Sequence, residues 1–369
     1  MTALCLLGSC VRKRSVFREL RLNKNSVERA RRRADNERSV KGEHVQHVRL
    51  GNTGLRVSKL CLGTMTFGYQ CDEATSVAIL DRAAGAGITF LDSSDVYPLG
   101  GGLERAGRTE EIIGRWMRGK RHDFVIATKC FGATGPQPFH AGNNRRHIFD
   151  AIDASLRRLG TDYIDLYQLH GYDPQVTVDE TLGALDDLVH AGKVRYIGCS
   201  NHLAYQVARA LGRSDVRGLA RFVSVQPRYN LLYREIEREL LPLCAEEGVG
   251  VIPFNPLAGG LLTGKHDRTK PPSEGTRFGY GGRVGALYQD RYWNERVFDA
   301  VDDLRRVAAD AGLPMPTMAV AWVLANPAVT SPIIGASRAE QLDASIAALD
   351  VTLDAALLAK LNEMTQQFR

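Results

Sequence analysis

No apolar run in this 369-residue chain approaches the roughly 18 to 20 residues needed to cross a bilayer, so a membrane-spanning role is not expected. No C-x-x-C pair occurs among its seven cysteines, which are odd in number and scattered at positions 5, 10, 61, 71, 130, 199 and 244. That pattern argues against a disulfide framework or a zinc site and fits a reducing compartment. Cys130 reads as a small buried hydrophobe, with a redox-sensitive thiol as the alternative. No G-x-G-x-x-G follows a predicted strand, which excludes the Rossmann fingerprint. The first ten residues are mildly apolar but lack a basic leader and a small-x-small cleavage site, so no secretory signal is read. A cytoplasmic protein is expected.

A strongly basic body is also missing. The formal charge is +6, but residues 1–44 hold twelve Lys/Arg against five Asp/Glu, a surplus of seven. The rest of the chain is therefore slightly acidic, and a nucleic-acid partner is not expected. The basic segment, with its triplet Arg31 to Arg33, could bind polyanions or direct the chain to an organelle. It also reads as a disordered leader or a start codon placed too early, which is the reading preferred here.

What is present is an alternation of strand and helix signals from about Val45 onward. His47–Leu50 and Leu55–Ser58 predict a hairpin around Gly51-Asn52-Thr53-Gly54. Lys59–Leu62 is a buried strand. Asp72 predicts an N-cap for a helix running to Ala86, followed by a strand ending at Asp92. The later strands are Phe124–Thr128, Tyr163–His170, Val194–Ser200, Phe222–Gln226, Gly250–Asn255 and Thr330–Ile334. The intervening helices are Thr109–Arg118, His147–Leu159, Val178–His190, His202–Leu211 and Glu235–Glu247, then Asn294–Ala311 and Thr317–Ala325. Two more helical stretches close the chain. By length alone this could be two domains or one large barrel. Eight apolar strands, each followed by helix and with no change of composition, favour one α/β domain over residues 45–369. Its expected fold is a (β/α)₈ TIM barrel with an N-terminal β-hairpin and extra C-terminal helices.

Active sites in that fold lie where the strands end. Asp92 and Tyr97 follow the second strand, and the third, fourth and sixth end at Lys129, His170 and Gln226. Ser200 and Asn201 end the fifth strand, Phe254 and Asn255 the seventh. Each has an ordinary explanation alone: a cap, a solvated charge, a core histidine. At successive tips of one barrel they converge. A free phenol has a pKa near 10, an ammonium beside it favours the phenolate, and a carboxylate paired with that ammonium orients it. Tyr97 could then pass a proton to a carbonyl oxygen, with His170 donating a hydrogen bond to the same oxygen. Ser200, Asn201 and Gln226 suit a carboxamide, and Phe254 offers a flat face for stacking. Clustered His and carboxylate ligands for a metal are lacking, since His170 stands alone among strand ends.

Eight segments in order carry a resemblance: LGTMTFG (62–68), LDSSDVY (91–97), ATK (127–129), DLYQLH (165–170), IGCSN (197–201), SVQPRYNLLYR (224–234), VIPFNPLAGGLLTGK (251–265) and PIIGASRAEQL (332–342). Over roughly residues 45–369 the chain resembles the aldo-keto reductase superfamily, in its branch of aryl-alcohol dehydrogenase-like reductases and potassium-channel β subunits. The resemblance implies NADP(H) laid across the barrel mouth and a small-molecule carbonyl or alcohol substrate. It makes Asp92, Tyr97, Lys129 and His170 a catalytic tetrad. It puts Ser200, Asn201 and Gln226 on the carboxamide and Phe254 on the nicotinamide. Gly63, Thr64, Met65, Asn255, Pro256 and Gly335 also fall at cofactor-binding positions. Leu257, Gly259 and Lys265 would lie along the pyrophosphate, Ser337 and Arg338 at the adenosine phosphate, and Gln341 at the adenine.

The chain departs from the family pattern in three places. Ser93-Ser94 replaces a commoner Thr-Ala, and Ala344 and Ser345 stand where an acidic residue and Asn are frequent. The loop Pro98–Arg108 is longer than usual and reads equally as a surface excursion or a substrate rim. Phe131, Phe139, Phe278, Tyr280 and Tyr288 lie on the segments 131–146 and 257–292, which read as loops over the barrel mouth and suit a substrate lid. The expected activity is NADPH-dependent reduction of aldehydes and ketones. The alternative kept beside it is a redox-sensing cofactor-binding subunit with little turnover. A Schiff-base lyase at Lys129 leaves Ser200, Asn201, Gln226 and the segment 335–341 unexplained. The oligomeric state is left open.

Overall fold

The computed structural model describes residues 45–369; the basic segment 1–44, with its expected lack of structure, lies outside the described residues. The chain first forms a hairpin, β1 (His47–Arg49) and β2 (Arg56–Ser58), paired antiparallel with Val48 opposite Val57. Eight parallel strands follow: β3 (Cys61–Gly63), β4 (Phe90–Asp92), β5 (Val125–Cys130), β6 (Ile164–Leu169), β7 (Val194–Ser200), β8 (Phe222–Gln226), β9 (Gly250–Val251) and β10 (Ile333–Ile334). They lie in the order β10-β3-β4-β5-β6-β7-β8-β9. Parallel bridges from Val251 to Val329 and from Phe254 to Ile333 join the two ends, which closes the sheet into the expected (β/α)₈ barrel.

Between the strands run α1 (Glu73–Gly85), α2 (Arg108–Trp116), α3 (Arg145–Leu159), α4 (Val178–His190), α5 (Ala204–Arg217) and α6 (Leu240–Glu247). After β9 come α7 (Gly282–Tyr292), α8 (Glu295–Asp310) and α9 (Met315–Leu324), and after β10 come α10 (Asp343–Ile346) and α11 (Ala355–Met364). The expected Asp72 cap forms, and Asn144 supplies another that the sequence reading did not name. The Asp72 carboxylate accepts from the Thr75 N–H at 2.7 Å, and Asn144 caps α3 through the His147 N–H at 2.9 Å.

Three elements differ from expectation. The predicted helix Glu235–Glu247 breaks into a single 3₁₀ turn, Glu235–Glu237, and α6. Pro242 has no N–H for a carbonyl one turn earlier, so the helix restarts with Pro242 in its first turn. The seventh strand is regular only over Gly250–Val251, because Pro253 and Pro256 interrupt it. Even so, the Ile252 and Phe254 N–H groups still reach Val225 and Pro227 carbonyls at 3.0 and 2.9 Å. Finally, α7 lies inside the segment read as open loop. Its first turn contains glycine and has no side-chain cap, so the usual start signal is missing.

The strand faces sort the core into two layers. Outward-facing side chains such as Leu62, Leu91, Ile126 and Ile197 pack beneath the helices. Inward-facing Cys61, Phe90, Ala127, Leu166, Ile252 and Ile333 fill the barrel, and Leu50 and Val57 of the hairpin join that cluster. The hairpin thus plugs the end of the barrel away from the strand tips. Its turn is tight against β8 and β9: Asn52 N–H donates to the Gly248 carbonyl at 2.8 Å. A side chain at Gly51, whose φ is 54°, would meet that same oxygen at 2.5 Å. Gly51→Ala is expected to cost roughly 1 to 3 kcal/mol by combining strain with overpacking. Urea unfolding checks this; an unchanged midpoint would mean the plug is loosely held.

Candidate active site

Inward-facing polar residues form a ring one step above the apolar barrel layer. Parallel registers bring them level: Gly63 pairs with Asp92, Lys129 with Gln168, and Ser200 with Gln226. The Lys129 ammonium donates to Asp92 Oδ2 at 2.5 Å and to the Ser93 carbonyl at 2.7 Å. Asp92 Oδ1 accepts from Gln168 Nε2 at 3.1 Å and from Gln226 Nε2 at 2.8 Å. Both charges are buried, with side-chain exposures of 0% and 3%. Burial opposes charge on Lys129, yet Asp92 and Tyr97 outweigh it and hold the ammonium above the usual lysine value.

Tyr97, on the loop after β4, is 9% exposed, and its ring centroid lies 5.0 Å from the Lys129 nitrogen. Burial pushes the phenol above its usual value, Lys129 pulls it down, and Asp92 pushes it up; the balance is upward. Desolvation therefore outweighs the lowering by Lys129 that the sequence led us to expect, so the phenol holds its proton at neutral pH. His170 stands edge-on to Tyr97, with ring centroids 5.7 Å apart. Burial, then the Lys129 charge, pulls the imidazole down to about 3, so it is neutral. Its Nδ1 lies 3.0 Å from Ser94 Oγ. The structure thus brings Asp92, Tyr97, Lys129 and His170 together.

The predicted carboxamide residues stand beside them. Ser200 Oγ donates to the Gln226 carbonyl at 2.8 Å, and Asn201, in a left-handed conformation with φ 57°, donates to the His170 carbonyl at 2.8 Å. The Gln226 side-chain nitrogen already serves Asp92 and Gln168, so its side-chain oxygen, Oε1, is the end left for a ligand. Phe254 is half-buried at the edge of the interior cluster.

Thr64 is fully buried: its hydroxyl and its N–H both donate to the Asp92 carbonyl, at 2.8 and 3.1 Å, and its own carbonyl receives the Phe67 N–H at 3.0 Å, so the expected cofactor contact at Thr64 is not supported here. Met65 is half-buried, and its carbonyl receives the Leu99 N–H at 2.8 Å. Gly63 is required by packing, since a Cβ there would meet Ile333 at 2.7 Å. The loop 98–108 is pinned by that Leu99 contact and by a hydrogen bond from Gln70 to the Leu99 carbonyl. Beyond this anchor, residues 102–105 are exposed.

The remaining predicted residues lie on the segments 255–265 and 335–341. Asn255, with φ 64°, accepts from the Gly259 N–H at 2.6 Å and fixes the turn through Pro256, Leu257 and Gly259. On the second of these segments, Gln341 Oε1 accepts from the Ser337 N–H at 2.8 Å and the Ser337 hydroxyl at 3.1 Å, which folds the 337–341 loop on itself. Gln341 is therefore a loop clamp here. Lys265, Arg277 and Arg338 lie near one another: burial, then Arg277 and Arg338, pull the Lys265 pKa down. Among the described residues none of the three is within ion-pair distance of a carboxylate. Three mutually repelling cations without counter-ions suit a ligand of several negative charges. Gly335 leaves room beside them: a Cβ there would meet nothing closer than 3.8 Å.

Sequence reasoning missed Gln168 and Arg277. Gln168 was legible as the inward-facing residue of Tyr167-Gln168-Leu169, whose neighbours point outward. Arg277 sits in a Gly- and Pro-rich segment and carried no such signal. The aromatic lid expectation is corrected in part. Phe278 and Tyr288 are buried, packed against each other with centroids 6.1 Å apart and close to Gly259, whereas Phe131, Phe139 and Tyr280 are half-buried. Cys130 is fully buried, and burial pushes its thiol well up, as expected for a structural cysteine.

A barrel with a buried Asp–Lys pair, a phenol and an imidazole at its strand tips defines a class of barrel oxidoreductases. The model of the Aldo/keto reductase family matches residues 59–366, and the chain belongs to that family. It is 38% identical over 331 residues to the uncharacterized oxidoreductase YrpG of Bacillus subtilis, covering 87% of this chain and 96% of that protein. A putative aryl-alcohol dehydrogenase of Schizosaccharomyces pombe is 36% identical over 338 residues, 82% of this chain and 91% of its own length. A probable voltage-gated potassium channel subunit beta of Arabidopsis thaliana is 35% identical, over 87% of this chain and 97% of its own. These matches support an oxidoreductase of carbonyl compounds. Among the described residues no single helix is long and apolar enough to cross a membrane.

Lys129→Met would leave the Asp92 carboxylate buried without its cation. It is expected to cost about 3 to 5 kcal/mol in denaturant unfolding, and adding Asp92→Asn should restore part of that. A cost below about 1 kcal/mol would mean the pair is hydrated and the ring looser than described.

Proposed function

We propose that this protein is an NADPH-dependent reductase of aldehydes and ketones, with Tyr97 as proton donor. The observation that carries the reading is the Lys129 ammonium, buried, paired with Asp92 and 5.0 Å from the Tyr97 ring. A bound nicotinamide supplies the hydride for the carbonyl carbon. Oxygen then gains negative charge, and Tyr97 hands it the phenolic proton. The phenolate left behind is stabilised by Lys129, whose charge Asp92 holds in place. Gln168 and Gln226 fix the Asp92 carboxylate, so the ammonium cannot turn away. The neutral His170 offers a nitrogen to the same oxygen and orients the substrate.

The preference for NADPH over NADH rests on Lys265, Arg277 and Arg338, a cluster suited to a pyrophosphate and a phosphate monoester together. The same site without turnover would be a redox sensor; the proton donor held beside its ammonium favours the reductase.

Two variants test this. Tyr97→Phe should lower the rate of aldehyde reduction by at least about a hundredfold while NADPH binding, followed by protein fluorescence quenching, stays close to wild type. Turnover retained near the wild-type rate would remove Tyr97 from the reaction. Arg338→Ala should raise the Kd for NADPH roughly ten- to a hundredfold and leave that for NADH little changed. Equal small effects would mean Arg338 does not meet the extra phosphate. Tight binding by the wild type with no oxidation of NADPH by a set of aldehydes would favour the sensor.

A further inference from the structure

We propose that Ser94 and Asp95 form a proton relay that sets the tautomer of His170, so that its Nε2 carries the hydrogen offered to the substrate oxygen. The relay rests on the reductase reading above and adds two positioning residues to it.

The geometry is a chain of two contacts. Ser94 Oγ lies 3.0 Å from His170 Nδ1 and 3.2 Å from Asp95 Oδ1. Ser94 is fully buried and Asp95 is 1% exposed, so water does not substitute for either partner. A hydroxyl has one hydrogen to give. If Ser94 gives it to Asp95, His170 must present Nδ1–H to Ser94, and its Nε2 is left as a lone pair facing an oxygen it cannot help. If Asp95 instead gives a proton to Ser94, Ser94 gives its own to Nδ1, and Nε2 carries the hydrogen. The tautomer of His170 therefore follows from whether Asp95 is an acid or an anion.

The surroundings of Asp95 favour the acid. Burial, then the Glu110 carboxylate on α2, pushes it up to about 8, against smaller opposing pulls from Ser94, from Arg158 on α3 and from the Val96 backbone N–H. Arg158 is itself engaged, donating to Glu110 Oε2 at 2.7 Å, and Thr128 on β5 donates to Glu110 Oε1. The other titratable groups facing this cluster are Cys130 on β5 and Tyr167 on β6. Burial first, with help from these neighbours, pushes both up, so both are neutral. Lys129 faces His170 from the barrel side and opposes a second proton on the ring. Asp95 Oδ2 is buried with no hydrogen-bond partner. An unpaired carbonyl oxygen is cheaper to bury than an unpaired O–H or an unpaired anionic oxygen. The proton therefore belongs on Oδ1, where Ser94 receives it.

The sign of the pH dependence follows. Below about pH 8 Asp95 is protonated and His170 is an Nε2–H donor. As pH rises through that value Asp95 becomes an acceptor, Ser94 turns its hydrogen toward it, and His170 switches to Nδ1–H. Reduction should then decline about tenfold per pH unit, because one proton is lost. Tyr97 titrates at higher pH, since its phenol is raised above the usual value near 10.

The test is ¹⁵N NMR of the full chain labelled at histidine, with His170 assigned by comparison with His170→Gln, alongside kcat/KM profiles from pH 6 to 10. The wild type should show the Nε2–H tautomer at pH 7 and convert to Nδ1–H near pH 8. Asp95→Asn, which has an amide N–H to offer Ser94 at every pH, should abolish both the conversion and the alkaline limb near 8. Ser94→Ala should uncouple the two, leaving a tautomer that no longer responds to pH. A wild-type Nδ1–H tautomer at pH 7, or a limb near 8 that persists in Asp95→Asn, would overturn the relay. The NMR arm needs neither cofactor nor turnover. A protein that does not reduce carbonyls but shows the conversion sinks only the reductase reading, and normal reduction without the conversion sinks only the relay.

Discussion

Burying the Lys129 ammonium is the constraint around which the site is built. An isolated ammonium in a barrel interior would lose its proton, so everything near it serves to keep the charge. Asp92 supplies the counter-charge, the Ser93 carbonyl a second acceptor, and Gln168 and Gln226 fill the other carboxylate oxygen. Asp92 ends β4 and Ser93 follows it, Lys129 lies on β5, Gln168 on β6 and Gln226 on β8, so the ring exists only when these four strands are in register. The same registers stack Cys61, Phe90, Ala127 and Leu166 beneath it, and the hairpin closes the far end with Leu50 and Val57. The apolar plug keeps water from below, and the polar ring faces the open end. Fold and site are one arrangement seen at two depths.

That arrangement also explains why the two proton-bearing groups behave differently. Tyr97 and His170 are near neighbours under the same ammonium, and burial acts on both. Burial raises a phenol and lowers an imidazole, so each is held in its neutral form. A neutral phenol can give a proton, and a neutral imidazole can give a hydrogen bond only if the right nitrogen carries the hydrogen. The second condition is what the contact with Ser94 bears on.

Much of this was legible in the sequence because the signals were local. Asp72 precedes an apolar-periodic run and caps its helix, and strands β7 and β8 end where their apolar runs end. Asp92, Lys129 and His170 stood out as polar residues closing such runs. What escaped depended on long-range packing. Gln168 lies within a strand, and its alternation with Tyr167 and Leu169 has meaning only once the inward face is known. Helix α7 lacks a capping signal and is held by Phe278 and Tyr288, whose burial comes from contacts with Gly259 and Trp293. Pro242 was visible, but its effect in dividing the Glu235–Glu247 run was not weighed. The balance of burial against charge at Tyr97 could not be judged from the identity of its neighbours alone.

The most direct measurement follows the hydride itself. NADPH carrying deuterium on the transferring face of its nicotinamide would be mixed with the protein and an aromatic aldehyde, and the product examined by mass spectrometry. The account predicts a benzylic alcohol with one deuterium on the former carbonyl carbon, formed as NADPH is consumed. Tight binding of NADPH with no labelled alcohol from any of a range of aldehydes and ketones would contradict it.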